Sequence, residues 1–217
     1  MEIAQNIGEI SFVGYPDEKV PLAERRGEWK IFKVDGIEYL STKTQIKAII
    51  PRNQTTEETQ PSSIEVVLNP TPFYGESGGQ VGDRGIIFDL NATPIVTIYE
   101  SRKPVSELTV SRGVTHTDNL DQHDHVWAGY AIDERRQLRA HHSATHLLHE
   151  ALREVLGNHV AQAGSLVESS RLRFDYTHFE STPFASLEQV ESIVNKAVQA
   201  RLPVSTDILP FKEAKKK

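Results

Sequence analysis

The 217-residue sequence contains no cysteine, one methionine and two tryptophans. Without cysteine there is no thiolate to bind a metal, and no thiol usage from which to infer a redox compartment. Apolar runs long enough to span a bilayer, about 20 residues, are also absent. The opening stretch MEIAQNIGEI lacks the basic-then-apolar order of a secretory leader. A cytoplasmic address with no membrane contact is therefore expected. Basic excess is missing too: the formal net charge is −6. That argues against broad binding of nucleic acid through bulk charge, although local basic patches remain open. Arg135, Arg136 and Arg139 form one such cluster, Arg171 and Arg173 another, and KEAKKK (212–217) a third. What is present, 38% hydrophobic and 25% charged residues, suits a soluble chain with room for one large or two small domains.

The first 130 or so residues read as β-rich. WKIFKV (29–34), QIKAII (45–50), IEVVL (64–68), GIIFDL (85–90), IVTIY (95–99), VSELTV (105–110) and HVWAGYAI (125–132) are short runs of β-branched and aromatic residues. Turn-forming stretches such as PRNQTTEETQPSS (51–63) and TDNLDQHD (117–124) separate them. A small barrel or sandwich over 1–132 is the expectation. From Asp133 the pattern becomes α+β. A helix is predicted over about 135–156, stopped at Gly157-Asn158. A hairpin follows over 165–176. A second helix is predicted over about 187–202, with Ser186 and Gln189 as a capping box and Pro203 as its stop. VSTDIL (204–209) is predicted to be a strand.

Four of the nine histidines, 141, 142, 146 and 149, fall within the first helix. At about 100° per residue, Ala144, Leu147, Leu148, Ala151 and Val155 group together as the face expected to pack on a sheet. His142 and His146 lie about 40° apart on the opposite side, with His149 and Arg153 continuing their stripe. The i,i+4 spacing allows two imidazoles to share one metal ion, for which zinc is the natural candidate. The same spacing also arises by chance on a polar helix face. The metalloprotease pattern does not apply, because Ser143 stands where that motif needs glutamate.

NPTPFYGESGGQVGDRG (69–85) holds five of the thirteen glycines. Its backbone must bend tightly or lie against a neighbour. It is either an elaborate hairpin or a loop lining a cleft. No Gly-Lys-Ser/Thr follows, and what comes next reads as a strand, so neither phosphate-loop nor dinucleotide patterns fit.

FYGESGGQVGDRG, RRQLRAHHSATHLLHEAL (135–152) and HVAQAGSLVESSRLRFDYTHFE (159–180) occur in that order. Together they resemble the editing region of alanyl-tRNA synthetases, which free-standing alanyl-tRNA editing proteins share. The resemblance is most specific over 67–85 and 135–180. Threonyl-tRNA synthetases have a related histidine-bearing domain, but Gln-Ala-Gly-Ser-Leu-Val with Arg-Leu-Arg-Phe-Asp-Tyr is closer to the alanyl family. The resemblance implies an α+β fold: a barrel-like module over 1–132, then the N-terminal part of an editing domain over 133–217. There, a His-bearing helix would pack on a truncated antiparallel sheet. It implies hydrolysis of the ester of tRNA(Ala) mischarged with serine or glycine, in a parent ligase that charges tRNA(Ala) with alanine. It implies zinc held by His142 and His146, with a Cys and a His expected beyond residue 217. ATP and magnesium would serve a catalytic domain outside this chain. Gln162 would contact the aminoacyl end, and Glu76, Ser77, Gly78, Gly79 and Gln80 would line the cleft. The partner would be tRNA(Ala), at its aminoacylated 3′ end, with no obligate protein partner. A tRNA-binding module without catalysis is the alternative, and an unrelated metal-binding or structural domain a further one.

Overall fold

The computed structural model describes residues 11–12, 28–51, 63–122, 124–203, 209–210 and 213. Strand β1 (Trp29–Val34) turns into β2 (Ile37–Pro51) through Asp35 and Gly36. Both have positive φ, 49° and 85°, the requirement of a two-residue hairpin turn whose twist matches its strands. β2 is fifteen residues long. The expected strand at 45–50 is only its second half; the stretch Ile37–Thr44, which lacks a clean alternation, is drawn into the sheet by partners on both sides. Its first half pairs with β1 and with β7 (His125–Ala131), and its second half with β3 (Ser63–Asn69). A register shift between Ile46 and Ala48 bends it between the two.

β4 (Gly85–Phe88), β5 (Pro94–Val105) and β6 (Leu108–Thr115) complete the ring. The order β2-β3-β6-β5-β4-β7 closes through β2–β7, giving a six-stranded antiparallel barrel with β1 as an added strand. Closure leaves no free edge within the ring. VSELTV, expected as a strand, instead spans the β5–β6 turn, where Val105 pairs with Leu108. Here turn geometry overrides β propensity. The interior is filled by Val66, Leu68, Phe73, Ile87, Val96, Ile98, Val126 and Ala128, each at most 1% exposed. Each of the larger ones contributes about 1.5–3 kcal/mol. Tyr39, Ile86, Phe88 and Trp127 form a second cluster with Phe32 of β1. Phe32 meets Phe88 and Trp127 edge-on, at 4.9 and 5.5 Å between ring centroids.

The chain passes from strand to helix at Ala131, without a loop, into α1 (Ile132–Leu156). With 25 residues, α1 is about 37 Å long. It starts three residues before the expected position and ends at Gly157 as expected; the Gly157 N–H, at φ 113°, donates to Arg153 O. β8 (Gln162–Val167) and β9 (Leu172–Tyr176) form the hairpin, and α2 (Phe184–Ala200) packs on α1. The Ser186/Gln189 capping box is not formed. Helix α2 begins at Phe184 after Pro183 and has no side-chain cap, because Pro183 supplies a pre-set φ and its carbonyl accepts from Ser186 and Leu187. The strand expected at 204–209 falls, apart from Leu209, outside the described residues.

Ala151, Leu152, Val160 and Val190 form the core of this half, with Leu148, Phe174 and Ile193 against them. The face of α1 expected to pack on a sheet meets both the β8–β9 hairpin and α2: Ala151, Leu148 and Val155 cluster with Phe174 and Tyr176, and Ala144 and Leu148 share an apolar groove with Leu172, Leu187, Val190 and Val194. A different face, carrying buried Leu138, Thr145 and Leu152, lies within about 100° of His142. The histidine side of the helix is therefore also a packed side. A wheel drawn on one helix shows which residues share a face, but not what docks on it.

Candidate functional site

The site begins in the loop between β3 and β4. Gly78 and Gly79 both have positive φ, 59° and 79°. They form a two-residue turn in which the Ser77 and Gln80 backbones bond each other at 3.0 and 3.2 Å. Two adjacent left-handed residues favour glycine, with Asn or Asp tolerated at the first position as at Asp35-Gly36. The turn is pressed against β8: the Val167 N–H donates to Gly79 O at 2.8 Å and the Val81 N–H to Val167 O at 3.1 Å. A Cβ on Gly79 would stand 2.2 Å from Ser165 Oγ, so the close approach also needs a residue without one. The barrel loop thus becomes a neighbour of the β8–β9 hairpin.

A buried ion pair holds the loop's far end. Asp83 and Arg135, each 2% exposed at the side chain, are bonded in two places; Arg135 Nε donates to Asp83 Oδ1 at 2.8 Å and Nη2 donates to Oδ2. Arg135 Nη2 also donates to Pro72 O at 3.2 Å, and the guanidinium lies 3.7 Å from the Tyr130 ring centroid. Burial pushes the Asp83 carboxyl up; Arg135 and the Tyr74 amide pull it back, without fully offsetting burial. Neither residue was singled out from sequence as part of such a pair. Buried charge pairs leave no periodicity, and the one available signal was a charged pair, Asp83-Arg84, inside an otherwise glycine-rich stretch.

With both ends fixed, Gln80 sits beneath α1 at 3% exposure. Its Oε1 is 2.7 Å from His142 Nδ1. A carboxamide oxygen only accepts, so His142 Nδ1 carries the proton and Nε2 keeps its lone pair. Gln80 Nε2 is buried and has no hydrogen-bond partner among the described residues. The His142 and His146 rings are stacked, with centroids 5.3 Å apart and planes at 23°. Burial, and then the neighbouring His146, hold the His142 pKa below its ordinary value, which favours the neutral imidazole. His142 is half-buried and His146 exposed.

Gln162 is exposed at the start of β8, and its Nε2 donates to Ser165 Oγ at 3.1 Å. Gln162, Ser165, Gly79, Gln80, His142 and His146 therefore form one continuous run of contacts. Ser165 was not anticipated; only its close approach to Gly79 reveals it. Gly78 forms the turn with open space beside its Cα. Glu76 lies elsewhere: its N–H donates to Ser101 O on β5. It lines a groove of about 500 Å³ with Arg102, Lys103 and Arg112, and another of about 450 Å³ with Arg84 and Glu134; neither includes the histidines. His149 departs from the expected outward stripe: it packs on Phe174 at 5.2 Å between ring centroids, with a buried Nε2. His141 Nδ1 is 2.7 Å from Glu168 O.

Chemically, this is a pair of imidazoles, one locked with Nε2 free, beside a buried amide donor. The donor set suits zinc, which accepts neutral imidazole and favours ligands whose second nitrogen is hydrogen-bonded. It is half of a tetrahedral set. Among the described residues, no group of three or more His, Cys, Asp or Glu side chains is placed to hold a metal ion.

Residues 22–136, more than half of the chain, match the family described as tRNA synthetases class II (A). That span covers the barrel and the first turn of α1, including both members of the Asp83–Arg135 pair. An alanine–tRNA ligase of Myxococcus xanthus is 37% identical over 216 residues, covering 100% of this chain and 22% of that protein. One from Pelotomaculum thermopropionicum is 43% identical over 216 residues, 99% of this chain and 22% of its own length. One from Bacillus subtilis is 42% identical over 180 residues, 82% of this chain and 20% of its own. The chain thus spans about a fifth of the length of these relatives.

Proposed function

We propose, because the chain belongs to the class II tRNA synthetase (A) family, that it is part of an alanine–tRNA ligase and carries part of that enzyme's editing site. In this reading residues 1–132 are the barrel module and 133–217 the N-terminal part of the editing domain. The parent attaches alanine to tRNA(Ala) with ATP in the cytoplasm. The site on this chain takes part in hydrolysing the ester of tRNA(Ala) wrongly charged with serine or glycine.

One observation carries the proposal: the 2.7 Å contact between Gln80 and His142. It joins the glycine-rich turn to the histidine pair, two features with no sequence proximity. His142 and His146 would hold zinc through ring nitrogens, with the remaining ligands supplied by other groups of the parent. A bound zinc ion supplies Lewis-acid stabilisation of developing oxygen charge. Gln80 keeps the His142 ring in the tautomer with Nε2 available, and its own Nε2 is a desolvated donor for a substrate oxygen. Gln162 and the Gly78-Gly79 backbone position the aminoacyl end. Small pockets separate side chains differing by a methyl or hydroxyl by only about 1–3 kcal/mol, a rule drawn from the synthetases themselves. A second hydrolytic site answers that limit.

The test is His142→Ala combined with His146→Ala in the full-length parent. Clearance of serine-charged tRNA(Ala) is expected to disappear while alanine charging continues. Normal clearance by this variant refutes the assignment. A second reading, a tRNA-binding module without catalysis, draws on the count of two metal-type ligands in the described site. Retained tRNA affinity without any hydrolysis by the unmodified parent would establish it.

A further inference from the structure

Beyond Gln162, at the same end of the β8–β9 hairpin, lies a group of rings that the site above does not use. His159, on the turn leading into β8, and His178, just past β9, are near-parallel, with centroids 5.1 Å apart and planes at 20°. His159 Nε2 and His178 Nδ1 are 2.8 Å apart, so one ring N–H donates to the other's lone pair. Phe179 stacks on His159 at 5.0 Å and 24°. Phe179 as a residue is 89% exposed. The row is pinned from below by Thr177, whose N–H donates to Ala161 O and whose Oγ1 accepts from the Ala161 N–H. Ala161 and Thr177 directly adjoin the Gln162–Tyr176 pair of the hairpin.

We propose that His159, His178 and Phe179 form a stacking platform for an unpaired nucleobase. The claim rests on the reading that this chain meets the single-stranded 3′ end of an RNA. The physical case has three parts. A phenylalanine this exposed is held in place by a ring that is itself bonded to a third, so stacking a base on it orders little that is mobile. Its neighbours Thr177, Glu180 and Ser181 are exposed and polar, so these residues offer no apolar wall to enclose an aliphatic side chain. What is offered is a flat π surface with heteroatoms at its edge, which suits a flat heteroaromatic ring. His159 lies three residues before Gln162, and His178 two past its strand partner Tyr176, so a base held here sits at the same end of the hairpin as Gln162.

The test is fluorescence titration of the full chain with a short single-stranded RNA bearing one 2-aminopurine, whose emission is quenched on stacking. The unmodified protein is expected to quench and bind it. Phe179→Ala is expected to weaken binding about 5- to 150-fold, the range for losing one base–aromatic stack. Phe179→Trp should retain binding, and Phe179→Leu should lose it despite remaining apolar. Because the ring is exposed, unchanged melting temperatures will show that the variants fold. Binding of Phe179→Ala within twofold of the unmodified chain overturns the platform but leaves the RNA reading standing. No binding by the unmodified chain also overturns it, while ester hydrolysis is judged separately by the histidine double variant.

Discussion

Replacing Arg135 with methionine tests how the site is assembled. Methionine roughly fills the volume but removes both bonds to Asp83, the bond to Pro72 O and the contact with Tyr130. Asp83 is then left as a buried carboxylate without its counter-charge. Removing one member of a buried pair costs about 3–5 kcal/mol, mostly the penalty on the abandoned charge. For a chain of this size each kcal/mol moves the melting temperature about 2–4 °C, so a fall of about 6–20 °C is expected. The pH dependence sharpens the test. Burial already pushes the Asp83 carboxyl up, and Arg135 is the main opposing influence. Without Arg135 the carboxyl rises further. An acid whose folded pKa exceeds its unfolded one destabilises the fold at high pH and ceases to do so as it protonates. The deficit of Arg135→Met should therefore narrow as the pH is lowered and the carboxyl protonates. Thermal unfolding followed by circular dichroism measures both. A fall of under about 2 °C, or a deficit that widens as pH drops, would show that the pair is not what holds the loop to α1.

Gly79→Ala places a Cβ 2.2 Å from Ser165 Oγ at a φ of 79°, and should cost about 1–3 kcal/mol through overpacking and backbone strain. Faster amide exchange at Val167, which donates to Gly79 O, would report it; unchanged exchange would mean the contact is not tight. Gln80→Leu removes the acceptor for His142 Nδ1–H, so nitrogen chemical shifts of His142 should move from one tautomer toward a mixture. Retention of the same tautomer would show that Gln80 does not set it. The lowered pKa of His142 has a signed consequence: its ordinary value is 6.5, and near and below that pH the unfolded chain binds more protons than the folded one. Stability should therefore fall as pH drops through 6.5, by less in His142→Gln than in the unmodified protein, as melting temperatures will show.

Much of the fold was legible along the chain. β1, β3, β4 and β7 lie close to their expected positions because short β-branched runs bounded by turn residues carry a local signal. The end of α1 at Gly157 was equally visible, since a positive φ there favours glycine. The first half of β2 was not, because its strand state comes from partners on both sides. The α2 capping box failed for a related reason: Pro183 already set the helix entry.

For the site, residue types and spacing along the chain selected His142, His146 and the glycine-rich loop before any contact was known, whereas Gln162 came only from the resemblance to the alanyl-tRNA synthetase editing region. Those properties are local: helical periodicity relates residues four apart, and paired positive φ angles favour glycine. The association of Gln80 with His142, 62 positions away, was decided only by tertiary structure, as were the inward packing of His149 and the separation of Glu76 from the histidines. Such contacts follow from how the closed barrel projects one loop onto a helix and hairpin, with a buried Asp83–Arg135 pair holding it there. Long-range pairing leaves no pattern in a single sequence, because either partner can be described without reference to the other.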